Sequence, residues 1–193
     1  VQLTPAQAEE TDENHKIFIE KVEDDYYIQI EHEMTKNHYI SLSNYPAATK
    51  NHHEYASGLL HHTTSMLRVG ELLSTVYSVN TSLLYAGIIL HDIGKTIELS
   101  GPILPKYTVA GKLLGHISII NAEVAETCKN LGINGETSVL LQHMILSHHG
   151  QYDFGSPVLP MTKEAELLHF IDNIDSRMNA IDKALNAIEE GEF

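Results

Sequence analysis

From about Thr49 onward, apolar residues recur at helical spacing. Leu59, His62, Met66, Val69, Leu73 and Val76 follow a 3-4-3-4-3 pattern, which places one histidine inside a buried stripe. Residues 81–92 predict a second helix, with Leu84, Ile88 and His91 on one side. Pro102, Pro105 and Gly111 make 100–112 a loop. Leu114, Ile117, Asn121, Val124, Cys128 and Leu131 predict a helix over 113–131, stopped by Gly132. Another is expected over 136–149, with Leu141, Ile145 and His148 on one face, before a Gly/Pro loop from Gly150 to Pro160. The last helix, about 162–189, carries Ile171, Ile174, Met178, Ile181, Leu185 and Ile188 at heptad-like spacing.

The beginning of the chain reads differently. Lys16–Val22 and Tyr26–Ile30 are short runs of strand-forming residues around the turn-like Glu23-Asp24-Asp25, and His38–Leu42 suits a third strand. Ser43-Asn-Tyr-Pro46 marks a boundary. The expectation is therefore a mainly α protein: an acidic N-terminal β segment over 1–43, then a helical bundle over 44–193.

Composition narrows the function. The chain has 193 residues, enough for one ordinary domain with a small appendage, and 42% hydrophobic content supplies a core. It contains no apolar run of membrane-spanning length, and its acidic start lacks a signal-peptide pattern. Cys128 is the single cysteine, which excludes an internal disulfide and a cysteine-based zinc site. Together these point to the cytoplasm. A formal charge of -14 argues against broad binding of duplex nucleic acid, though not against a narrow site where metal ions meet a phosphate. Histidine is the anomaly: 13 of them stand against two arginines, Arg68 and Arg177.

The candidate chemistry centres on His91-Asp92, which ends the apolar segment Leu83–Leu90. Burying a charge there is costly unless something compensates it, and a cation bound by imidazole and carboxylate is the simplest compensation. The plainer reading is a helix end with Gly94 as its stop and Lys95 beside the last carbonyls. Further candidate ligands are His62, His116, His148, His149 and Asp172. Taken singly, each histidine reads as a core residue satisfied by one hydrogen bond. Taken jointly, on several helices of one bundle, they read as a metal centre. Seven N/O ligands suit two ions with Asp92 as the bridge, and this donor set favours Mn, Fe, Co, Ni or Zn. His143 and His169 suit core or ligand-supporting roles, and Asp175 suits orienting a ligand histidine. His53-Glu54 and His32-Glu33 each begin an H-E-x-x-H motif, but Ser57 and Lys36 stand where the second histidine belongs.

The ordered set His62, His91-Asp92 and Asp172 resembles the HD superfamily of metal-dependent phosphohydrolases, and His116 with His148-His149 resembles its two-metal members. Tyr45–Glu54, Ser57–Thr63, Leu90–Lys95, Glu98–Pro102, Gly115–Ser118, Ser147–Gln151, Gly155–Pro157 and Phe170–Asp175 are most similar to the YhaM-type 3′-to-5′ exoribonucleases. Those enzymes carry an OB-fold before the HD domain, for which residues 1–43 are too short. Residues 150–157 lack the Gly-Tyr-Pro of the HD-GYP phosphodiesterases. Glu13–Lys16, Glu31–Thr35 and Asn37–Ile40 are similar to part of a desulfoferrodoxin-type superoxide reductase domain, whose matching histidines bind iron; here these are His15, His32 and His38.

The resemblance implies an HD-domain helical bundle that hydrolyses single-stranded RNA or short oligonucleotides with two divalent transition-metal ions. One ion would sit on His62, His91, Asp92 and Asp172, the other on Asp92, His116, His148 and His149. Asp92 and Lys95 are the catalytic candidates, Lys95 by neutralising phosphate charge. His53, Lys95 and Lys112 are candidates for binding substrate. The alternatives are hydrolysis of mononucleotides or signalling nucleotides, or superoxide reductase-like chemistry at an N-terminal iron. A homo-oligomer is compatible with either activity.

Overall fold

The computed structural model describes residues 5–44, 58–100 and 106–187. In order, the helices are α1 (Pro5–Glu20), α2 (Asp25–Asn44), α3 (Gly58–Val76), α4 (Thr81–Leu90), α5 (Lys95–Glu98), α6 (Val109–Asn130), α7 (Glu136–Ser147) and α8 (Lys163–Asn186). A 3-10 turn, Tyr152–Phe154, lies between α7 and α8. Among the described residues, pairing of extended backbone is limited to one β-bridge, Leu99 with Tyr107. No helix among them is long and apolar enough to cross a membrane.

The core is built around α4, whose residues Ser82–Leu90 are all buried. A helix that is apolar all round belongs inside. Ile88 of α4 and Ile171 of α8 meet over Gly70 of α3. Leu59, Met66, Leu67, Ile120, Leu141, Met144 and Leu168 complete the surrounding layer. Each such side chain contributes about 1.5–3 kcal/mol of burial. Asn80, Thr108 and Thr162 cap α4, α6 and α8 by accepting from the backbone N–H groups of Leu83, Gly111 and Ala165.

The β appendage expected over 16–42 is not formed: those residues belong to α1, α2 and the short connection between them. Phe18 and Val22, then Tyr27, Ile30 and Met34, are spaced by three and four, and all five are buried. Short apolar runs fit strand and helix alike, and here packing against the bundle decides. Glu23 and Asp24 connect the two helices, and Asp25 already begins α2. The Asp24 Oδ1 accepts from the N–H of Tyr26 at 2.9 Å and starts α2. His15 and His32 ride on these helices, one buried and one exposed. His38 joins Thr96 Oγ1 at 3.1 Å and Glu123 Oε2 at 2.7 Å.

Gly94 is not a helix stop. Its backbone is right-handed helical, and a Cβ there would lie 2.4 Å from the His116 carbonyl oxygen. A Cβ on Gly111 would lie 2.3 Å from the Glu98 carbonyl oxygen. Both glycines are needed because α5 and α6 touch through their backbones. That contact brings His116 beside Asp92.

Candidate metal centre

Five elements converge on the Asp92 carboxylate. Leu90 ends α4, so His91 and Asp92 emerge from the core already buried. His62 lies on α3, Asp172 on α8, and His148 and His149 just past α7. His116 follows Gly115, whose φ of 72° breaks the start of α6 and redirects the chain.

The two carboxylate oxygens of Asp92 face different partners. Its Oδ2 lies 3.4 Å from His91 Nε2, 4.0 Å from His62 Nε2 and 2.6 Å from Lys95 Nζ. Its Oδ1 lies 3.5 Å from His116 Nε2 and 3.8 Å from His148 Nε2. Asp172 Oδ1 stands 3.1 Å from His62 Nε2. His62, His91 and Asp92 form one group of atoms within 4.8 Å of one another, and His116, His148 and His149 form a second.

The other nitrogen of each imidazole is anchored. The Nδ1–H of His91 donates to the Ile88 carbonyl at 2.7 Å, that of His148 to Ile145 at 2.7 Å, and that of His149 to Phe154 at 2.6 Å. His62 Nδ1 donates to Asp175 Oδ2 at 2.6 Å, and His116 Nδ1 lies 3.2 Å from Glu98 Oε2. With Nδ1 occupied in this way, Nε2 is turned toward Asp92. Yet Nε2 of His91, His116 and His148, and Oδ1 of Asp92, are buried without a hydrogen-bond partner. Several uncompensated polar atoms in one place would be expensive, whereas a cation satisfies them together. The donor set therefore fits a metal.

Electrostatics agree. Burial alone would raise the Asp92 carboxyl, but Lys95, His91 and His116 hold it well below the usual carboxylate range. Burial also raises Asp172, and the hydrogen bond from His62 more than reverses this. Burial lowers His148 strongly and His149 less, favouring the neutral imidazoles that ligation requires. His62 is opposite: burial lowers it, but the hydrogen bonds to Asp172 and Asp175 raise it to about 9. Its Nε2 proton stands where the other histidines offer a lone pair to a cation.

The structure thus gathers His62, His91, Asp92, Lys95, His116, His148, His149 and Asp172 in one place. Lys112 is exposed on the first turn of α6, and His53 lies outside the described residues. Asp175 orients His62 and also accepts hydrogen bonds from Ser65 Oγ and, at 2.9 Å, from Asn179. His169 Nδ1 donates to the His148 carbonyl at 3.1 Å, and His143 Nε2 accepts from the Met161 N–H at 2.9 Å. Sequence reasoning did not assign Glu98 or Ser65. Glu98 stands one helical turn past Lys95, a position that spacing alone could have flagged.

A helical bundle with His and Asp donors converging on an His-Asp pair defines a class, and the chain belongs to the HD domain family, which matches residues 59–177. HD domains bind divalent metals, in keeping with the groups gathered here. Among individual proteins, the chain is similar to the 3′-5′ exoribonuclease YhaM of Geobacillus sp., with 59% identity over 150 residues, 77% of this chain and 46% of that protein. It is 53% identical over 161 residues to the Halalkalibacterium halodurans protein of that name, covering 83% of this chain and 50% of the relative. The Bacillus subtilis protein is 52% identical over 161 residues, covering 83% and 51%. The chain spans about half the length of the curated relatives it matches. No solved structure matches it.

Proposed function

We propose that this chain is a metal-dependent phosphodiesterase that removes nucleotides from the 3′ end of single-stranded RNA or short oligonucleotides. The observation that carries the hydrolytic chemistry is the set of Nδ1-anchored imidazoles whose Nε2 atoms surround the two oxygens of Asp92. The exonucleolytic direction rests on the YhaM relatives.

In this reading His62, His91, Asp92 and Asp172 would hold one ion, and Asp92, His116, His148 and His149 would hold the other. Imidazole with carboxylate suits Mn, Fe, Co, Ni or Zn. Two such ions, when bound, would supply an activated water and charge stabilisation at the phosphate. Asp92 serves both groups because its oxygens already face opposite ways. Asp175 and Glu98 keep His62 and His116 in the ligating orientation. Lys95 Nζ lies at the edge of the centre, where it balances the Asp92 charge and can take up a phosphate oxygen. The HD unit is taken as residues 44–193, and a cytoplasmic setting fits the free, buried Cys128.

The test pairs metal analysis with a substrate panel. Purified protein should carry bound transition metal and shorten a 5′-labelled oligoribonucleotide to a ladder, with a blocked 3′ end stopping release. Asp92→Ala should lose both metal and activity while retaining the helical circular dichroism spectrum. Ready hydrolysis of mononucleotides with oligonucleotides left intact would favour a nucleotidase using the same centre. Undiminished metal content in Asp92→Ala would rule out the two-ion arrangement.

A further inference from the structure

Among the described ligand histidines, His62, His91 and His148 are buried, while His116 and His149 are partly exposed. The side chains of Asp172 and Lys95 also reach solvent in part, so both ligand groups border the surface. The turn Tyr152–Phe154 follows the His148-His149 pair after two residues. It presents two aromatic rings to solvent, Tyr152 at 65% and Phe154 at 57% exposure. Neither ring contributes to the core, and exposed aromatic surface is unfavourable in water.

We propose that Tyr152 and Phe154 form a stacking platform for the bases of a single-stranded nucleic acid whose terminal phosphate lies at the metal centre. The proposal rests on the exoribonuclease reading and names how that site grips its substrate.

Three observations support it. First, the turn is tied to the centre: His149 Nδ1 donates to the Phe154 carbonyl at 2.6 Å, so ligand and aromatic backbone share one hydrogen bond. Second, the turn is internally closed. The Phe154 N–H donates to Gln151 O at 3.2 Å, and the Gly155 N–H to Tyr152 O at 2.9 Å, with Gly155 in the left-handed region at φ 95°. Before it, Gly150 has φ 73°, and a Cβ there would lie 2.3 Å from the His169 ring, so the chain leaves the ligand pair by one route. A platform held this way loses little freedom when a base settles on it. Third, charge is a poor alternative grip. The molecule carries -14, and the turn itself contains Asp153. Base–aromatic stacking needs no cation, tolerates every base because each has a π face, and is worth ~1–3 kcal/mol per base. An enzyme that removes nucleotides in succession requires that tolerance.

The experiment uses the metal-loaded full chain. Single-stranded oligoribonucleotides are compared with the same ribose-phosphate chains made abasic near the 3′ end. Binding is read by anisotropy and turnover by gel. Replacing both rings, Tyr152→Ala with Phe154→Ala, should raise Kd and KM by about 5- to 150-fold per stacked base, with metal content retained. The loss should fall on KM rather than kcat. Tyr152→Trp with Phe154→Trp should restore affinity, and the leucine pair should not. Abasic substrate should bind wild type as weakly as intact substrate binds the double alanine variant, and should lose nothing further in that variant. Equal weakening on intact and abasic chains, or unchanged Kd and KM in the alanine variant, overturns the platform while leaving exonucleolysis in place. Wild-type protein that holds metal yet neither binds nor shortens any oligonucleotide overturns both readings.

Discussion

Asp175 shows what one carboxylate does without touching the centre of the ligand cluster. It holds His62 Nδ1 at 2.6 Å while Asp172 engages Nε2 at 3.1 Å, so the metal-free imidazole is doubly hydrogen-bonded and charged. Its pKa is raised from 6.5 to about 9. Because it is raised, the stabilisation this proton confers on metal-free protein is complete below pH 6.5 and lost as pH climbs through about 9. To be ligated by His62, a metal must displace the Nε2 proton, so affinity through this residue should rise with pH across this window and fall on acidification. Competition titrations with a chelator between about pH 6 and pH 9 check this, and a pH-independent affinity would exclude His62 as a ligand. Asp175→Ala should weaken metal binding roughly 10- to 100-fold by releasing the ring. The carboxylate was readable as a helper from its place three residues after Asp172. Ser65, which shares it, was not, because the pair is separated by 110 residues and meets only across packed helices.

At the scale of elements, periodicity located α3, α4, α6, α7 and α8 to within a few residues, because each is long and buries one consistent stripe or its whole surface. It misread α1 and α2, where strand-forming residues sit at helical intervals and the bundle supplies the burial. It could not show where a stripe stops being covered. Along α8, Ile171 is fully buried, while Ile174, Met178, Ile181 and Leu185 are each about half exposed. Ile171→Ala should therefore cost ~2–4 kcal/mol in denaturant unfolding, and Ile181→Ala less than about 0.5 kcal/mol. Equal costs would mean that the outer half of α8 is covered in solution. At the other end of the site, Gly94→Ala should drive α5 off the His116 backbone, lowering metal affinity together with stability.

For the whole molecule, the centre cross-links helices that are far apart in sequence, so its occupancy is coupled to folding. Buried, unpartnered nitrogens of His91, His116 and His148 burden the metal-free fold, and ligation of an ion would relieve them. Metal at about 100 times its Kd should stabilise the protein by ~2.7 kcal/mol. That corresponds to roughly 5–10 °C in Tm for a chain of this size. Thermal melts with and without a chelator measure it. An unchanged Tm would show that the native state does not bind the ion preferentially.

The sequence by itself supplied the candidate donors and pointed to the class. Residue type sets which atoms can ligate, and a helix repeats every few residues, so its period is written locally. Histidines and aspartates on successive predicted helices were therefore enough to point to a metal-binding bundle, and the resemblance those motifs carry supplied the HD class. Tertiary structure decided which nitrogen of each histidine is tied down, which carboxylate oxygen faces which group, and that α1 and α2 are helices. It also left the rings of Tyr152 and Phe154 exposed on a turn hydrogen-bonded to His149. These features depend on neighbours up to 113 residues away, as with His62 and Asp175, and no local pattern encodes a contact whose partner is placed by packing.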